Sequence, residues 1–180
     1  MRITRQASLA FTVAVAGLLA LGAVPASAQG AAVASASGAM IPNPSFAANS
    51  TDTVNPAIGA EASVHLVVGA DGRTIVTLHV KGMPADRSFG AHLHRDPCSI
   101  SFGGPHYQAP TGTPAGFADP DHEVWLDFTT NKAGNGHSHA VVPFEVQPGA
   151  RSVIVHQGDH TGPGGVVAPS QRLACLNVTI

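Results

Sequence analysis

Histidine is the side chain this sequence uses out of proportion. Ten histidines stand against nine lysines and arginines together, and imidazole is the group that binds transition metals and exchanges protons near neutral pH. The sharpest local pattern is Gly90-Ala91-His92-Leu93-His94. On a β-strand, residues two apart project from the same face, so His92 and His94 point together while Leu93 points away. Two imidazoles so placed can close on one metal ion, although a His-x-His pair taken alone fits a solvated strand face equally well. His106 lies in Gly103-Gly104-Pro105-His106-Tyr107, a turn able to fold a loop back over that strand. His156 ends the apolar run Val153-Ile154-Val155, where the chain leaves a sheet.

Taken in order, Gly-x-His-x-His, a cysteine, Gly-Gly-Pro-His-Tyr, Val-Ile-Val-His and Arg-Leu-Ala-Cys closely resemble the copper-zinc superoxide dismutase family. The resemblance runs from about Glu61 to Ile180. It implies an all-β Greek-key barrel or sandwich, with copper held by His92, His94, His106 and His156 and a disulfide between Cys98 and Cys175. It also implies that Arg172 is the active-site arginine that draws in the superoxide anion, so that Arg172 and His106 carry the catalytic roles. The chemistry of the residues agrees: four imidazoles in a tetragonal arrangement suit Cu(II), and a site that relaxes on reduction also holds Cu(I). Arg172 stands three residues before Cys175, so a disulfide there pins its backbone, and a fixed guanidinium beside a metal steers small anions.

The family's second metal is where the sequence departs. Zinc in that family needs further histidines in the loop after the bridging histidine and an aspartate beyond. The stretch from Tyr107 to Asp121 contains no histidine, and the aspartate position falls near Trp125. Copper without zinc is the expectation, with His122 or a carboxylate (Asp119, Asp121 and Asp127 are nearby) holding the second nitrogen of a copper ligand. Trp125 reads as packing. His65 and His79 read first as solvated positions. The second His-x-His pair, at His137 and His139 beside the Gly134-Asn135-Gly136 turn, reads first as solvated, with capture of a stray metal ion as the alternative. Asp159 and His160 read as a solvated loop.

The elements that must position these residues are short. Ala62, Val64, Leu66 and Val68 alternate with Ser63, His65 and Val67, as a half-buried strand requires. The turn Ala70-Asp71-Gly72-Arg73 and a return over Thr74 to Val80 make a hairpin. Further strands are expected at Gly90–His94, Val124–Phe128, Ala140–Val146, Ser152–His156 and Leu173–Ile180, which indicates an antiparallel sandwich or flattened barrel. Two long connections, Arg95 to Asp121 and Gln157 to Gln171, begin right after histidines and read as functional loops.

A chain of 180 residues holds one domain with a full core. Residues 1–28 read as a signal peptide: Arg2 and Arg5, an apolar run from Leu9 to Leu21, and the small residues of Pro25-Ala26-Ser27-Ala28 before the cut. Residues 29–53, rich in Ala, Ser, Asn and Pro, read as a flexible leader, and 54–180 as the superoxide dismutase-like β-barrel domain. Export places the two cysteines in an oxidising compartment, so the expected location is secreted or periplasmic. The net charge of −2 becomes −4 without the leader, seven basic against eleven acidic side chains, and argues against a nucleic-acid partner. No membrane contact is expected after cleavage, and nothing identifies an oligomer interface. The leading functional expectation is an exported copper superoxide dismutase. The alternative is a non-catalytic copper carrier of the same fold, followed by a metal-free structural sandwich.

Overall fold

A computed structural model of the chain describes residues 31–48, 52–109, 119–158 and 172–180. The signal peptide, residues 110–118 of the first long loop and 159–171 of the second, Asp159 and His160 among them, lie outside the described residues. The rest is an all-β sandwich of two antiparallel sheets, neither closed into a barrel. The strands are β1 (Ala31–Ala39), β2 (Ile41–Pro42), β3 (Glu61–Val68), β4 (Thr74–Lys81), β5 (Ser88–His94), β6 (Phe128–Thr129), β7 (Gly136–Val142), β8 (Ser152–Gln157) and β9 (Arg172–Asn177). One sheet runs β1-β3-β4-β7 and the other β2-β9-β8-β5-β6. No described helix is long and apolar enough to cross a membrane.

Alternation along the strands builds the core. Val64, Leu66, Val76, Leu78 and Val80 of the first sheet pack against Phe89, Leu93, Val153, Val155, Ala174 and Leu176 of the second, all buried in one cluster. The residues between them on β5 and β8, namely His92, His94 and His156, are therefore turned to the outer face of the second sheet, yet each is fully buried. Loops must cover them. Cys98, Ile154, Cys175 and Phe102 form a second, small apolar cluster on that outer face.

Three expectations need correction. The stretch 29–53 is not a free leader where it is described: Ala31–Ala39 pairs with β3 over its whole length, and Ile41 and Pro42 pair with Cys175 and Ala174. Asp52 receives a two-pronged bond from Arg87 at 2.7 and 2.9 Å and another from Gln157. The folded domain thus begins no later than Ala31. Large apolar side chains are missing from β1 because only small ones are needed there; Ala34 is buried while Ser35 and Ser37 face water. The strand expected at Ala140–Val146 lies earlier, at Gly136–Val142, because small residues fill its inward positions, Gly136 against the Phe128 ring, and Pro143 cannot extend the ladder.

The strand expected at Val124–Phe128 is interrupted for a different reason. The segment runs beside β5, with Trp125 opposite His92 and β6 opposite Ser88 and Phe89. Between these points the Ala91 N–H donates to the Asp127 carboxylate at 3.1 Å instead of to backbone, so the ladder breaks.

Cys98 and Cys175 are bonded and enclose a segment with a sequence separation of 77. Loop-closure entropy assigns such a cross-link about 4 to 5 kcal/mol. Replacing both cysteines by serine should lower the denaturant midpoint accordingly, with the slope of the transition reporting any expansion of the unfolded chain.

Candidate metal centre

Three local structures bring the histidines together. Antiparallel pairing of β5 with β8 sets Gly90 opposite His156 and His92 opposite Ile154, so His92, His94 and His156 share one face. The chain then turns back along β5: Arg95 N–H donates to Pro105 O, Asp96 N–H to Gly103 O and Tyr107 N–H to Leu93 O. This return sets His106 directly opposite His94. Tyr107 OH accepts the Gln147 N–H at 2.8 Å, anchoring the return segment to the connection after β7.

The turn itself depends on two glycines. Gly103 sits so close to Ile154 that a Cβ would lie 2.7 Å from its Cδ1. Gly104 adopts φ +62°, a conformation costly for other residues, and its carbonyl accepts the His94 Nδ1–H at 3.0 Å.

The donor atoms of His92, His94, His106 and His156 lie within 4.8 Å of one another. Ring centroids are 4.2 Å apart for His92 and His106 and 4.7 Å for His92 and His156. His94 Nε2 is 3.3 Å from His156 Nε2. Two nitrogens bound at about 2.0–2.1 Å to one ion stand roughly 3 Å apart at tetragonal or tetrahedral angles, so this spacing fits a shared metal.

Protonation fits as well. A carbonyl can only accept, so His94 carries its proton on Nδ1 and presents the Nε2 lone pair. Burial, then the charges of His106 and Arg172, push the His94 pKa down to about 3, against the raising effect of the Gly104 and Gly103 carbonyls. The ring is neutral at physiological pH, as a ligand must be. These four residues can hold a metal ion.

His106 is oriented from behind by a carboxylate. Its Nδ1–H donates to Glu123 Oε2 at 2.8 Å, which leaves Nε2 for the ion. Trp125 Nε1–H donates to the same oxygen at 3.0 Å and Gln108 Nε2–H to the other at 3.1 Å. Burial alone would raise the pKa of Glu123, but the bonds from His106, Trp125 and Gln108, with the charge of His106, hold it below the ordinary value. Glu123 is 2% exposed, and three donors make a buried carboxylate tenable.

The carboxylate behind a histidine of the group is therefore Glu123, not Asp119, Asp121 or Asp127 as expected. His122 turns away to a partly exposed pair with Asp119 at 2.7 Å. Trp125 does more than pack, since its indole helps hold Glu123. The signal for Glu123 was present but weak: it lies two residues from Trp125 on the segment beside β5, and its meeting with Gln108 joins two separate loops.

Arg172 reaches this face through a β-bulge. Between Val155 and His156 the register of β8 and β9 shifts, so that Val155 faces Ala174 and His156 faces Arg172. Leu173 and Ala174 both join the core, which turns Arg172 outward beside His156; uninterrupted alternation would point it inward with Ala174 and Leu176. Asn43 Nδ2 donates to Arg172 O at 2.7 Å, and the Leu173 carbonyl accepts from Asn43 N and from Asn55 Nδ2, each at 2.8 Å. The guanidinium Nη1 donates to Ser101 O and Phe102 O at 3.1 and 3.0 Å, tying it to the loop closed by the disulfide. Its Nε is buried with no hydrogen-bond partner among the described residues.

No protein-family model and no curated protein matches this chain. Among solved structures, the chain is similar to the clock protein EA4, known from a crystal structure, with a TM-score of 0.46 and 14% identity over 67% of this chain and 87% of that one.

Glu123→Ala removes the acceptor behind His106 and leaves the Trp125 and Gln108 donors unsatisfied. Metal affinity should fall about 10- to 100-fold, while Glu123→Gln, whose amide oxygen still accepts from His106, should lose less. Competition titration against a chelator of known affinity checks both.

Proposed function

We propose that this chain is an exported, copper-dependent superoxide dismutase built on the Greek-key fold of the copper-zinc family, with copper and without zinc. The observation that carries the proposal is the juxtaposition of a buried four-histidine group with an arginine aimed at the same face by a β-bulge. The disulfide agrees with an exported protein, as does the signal peptide read from the sequence.

Bound copper would supply the one-electron couple, taking an electron from one superoxide, released as dioxygen, and giving it to a second, released as hydrogen peroxide with two protons. The protein's own residues do the rest. His94 is kept neutral by burial and by the neighbouring charges of His106 and Arg172, while the Gly104 carbonyl holds its proton on Nδ1, so the Nε2 lone pair is free for the ion at physiological pH. Glu123 keeps a proton on His106 Nδ1 and fixes the ring plane, the positioning that zinc gives in the resembled family. Arg172, held by the Ser101 and Phe102 carbonyls, contributes a fixed positive charge that attracts a small anion while admitting little flexibility.

A carrier would need the four histidines but not a guanidinium restrained by two carbonyls, and this favours turnover over storage. Copper-loaded protein should consume superoxide rapidly, and His94→Ala should abolish both copper retention and turnover. Arg172→Ala should retain copper but react about tenfold or more slowly, with a weaker dependence on ionic strength, because steering is lost. Tight copper binding without superoxide consumption in the wild-type protein would establish the carrier instead.

A further inference from the structure

Four of the six histidines outside the buried group occupy the solvent face of the other sheet. The ladder sets His79 directly opposite His137 and sets Thr77 between His65 and His139. All four histidines are exposed. The His79 and His137 rings lie 6.2 Å apart between centroids and only 22° from parallel. With nitrogen–metal bonds of about 2.1 Å, two imidazoles sharing one ion have centroids roughly 5 to 6 Å apart, so a small side-chain rotation in open solvent suffices. His139 projects from the same face of β7, two residues from His137.

The surroundings suit a cation. On the four strands of this sheet, the only ionisable side chains besides histidine are Glu61 and Lys81, which stand opposite each other. Imidazole donors on a rigid sheet favour first-row ions in the order Cu(II), then Ni(II) or Zn(II). The core of the sandwich separates this face from the buried group, so the two are independent.

We propose that His79 and His137, with His139 as a third donor, form a second, exposed site for a divalent transition-metal ion on the outer face of the β1-β3-β4-β7 sheet. Exposure makes it a rapidly exchanging site, in contrast to the enclosed four-histidine group. It captures metal at the surface whether or not the buried group is a dismutase centre.

The test is a Cu(II) titration of the whole exported protein, with bound copper counted after gel filtration and exchange followed on adding a chelator. Wild-type protein should hold two ions, one stripped quickly and one slowly. His79→Gln/His137→Gln should lose the quickly exchanging ion alone, with the thermal midpoint of the metal-free protein unchanged, and His139→Gln should weaken that ion without removing it. His94→Ala should show the reverse, losing the slow ion. If the buried group holds no copper, both counts drop by one and the difference between wild type and double variant stays at one ion. Equal counts in those two proteins would overturn the proposal, as would failure of Cu(II) to broaden the His79 and His137 ring resonances.

Discussion

Four imidazoles crowded into a buried space pose a physical problem that the surrounding structure has to solve. Protonated, they would repel one another in a medium too poor in dielectric response to screen them; neutral, they turn lone pairs toward one another. Both difficulties are removed when a cation sits among the lone pairs and each ring's outward nitrogen has a fixed partner. The Gly104 carbonyl behind His94 and the Glu123 carboxylate behind His106 are such partners. The site is thus specified by what lies behind the rings as much as by the rings.

The sheet that bears the site is built inside out compared with its partner. Its core-facing positions are ordinary aliphatics, but its outer face, which a two-layer sandwich normally leaves in water, carries fully buried histidines. That requires a third layer. The disulfide-linked loop with its 3₁₀ turn at Ser101–Gly103, the return through His106 and the crossing segment from Glu123 to Asp127 supply it. Cys98–Cys175 fastens this layer to β9, the strand that also carries Arg172. One covalent bond therefore restrains both the cover of the metal centre and the charge beside it, so loss of the disulfide acts on stability and on the site through the same loop.

What was legible in the sequence follows from the range of the interactions. His92 and His94 were readable because strand alternation is local, and the β3–β4 hairpin was readable for the same reason; His156, at the end of an apolar run without alternation, was picked out by the dismutase-like motif. β1 escaped because alternation of Ala with Ser carries almost no hydrophobic contrast, although pairing with β3 needs only the backbone. Glu123 escaped because its importance arises where His106 and Gln108 meet it from another segment, a contact that no local pattern encodes. The aim of Arg172 depends on one register shift opposite His156; the alternation of its own strand points it the other way, and only the resemblance to the dismutase motif drew attention to it.

Glu123 also changes what the proposed dismutase depends on. A second metal ion behind His106 would have to be acquired from the medium, and its loss would release the ring. A carboxylate anchored in the chain and satisfied by three donors is present as soon as the domain folds, so His106 is oriented before copper arrives. The charge differs in sign as well: Glu123 adds a buried negative charge where a zinc ion would add two positive ones. Glu123 offsets part of the local positive charge, so in the proposed dismutase the attraction of a superoxide anion falls to the copper and to the guanidinium of Arg172. The bulge that aims Arg172, with Asn43 and Asn55 gripping its carbonyls, becomes the part of the fold on which a zinc-free site relies most.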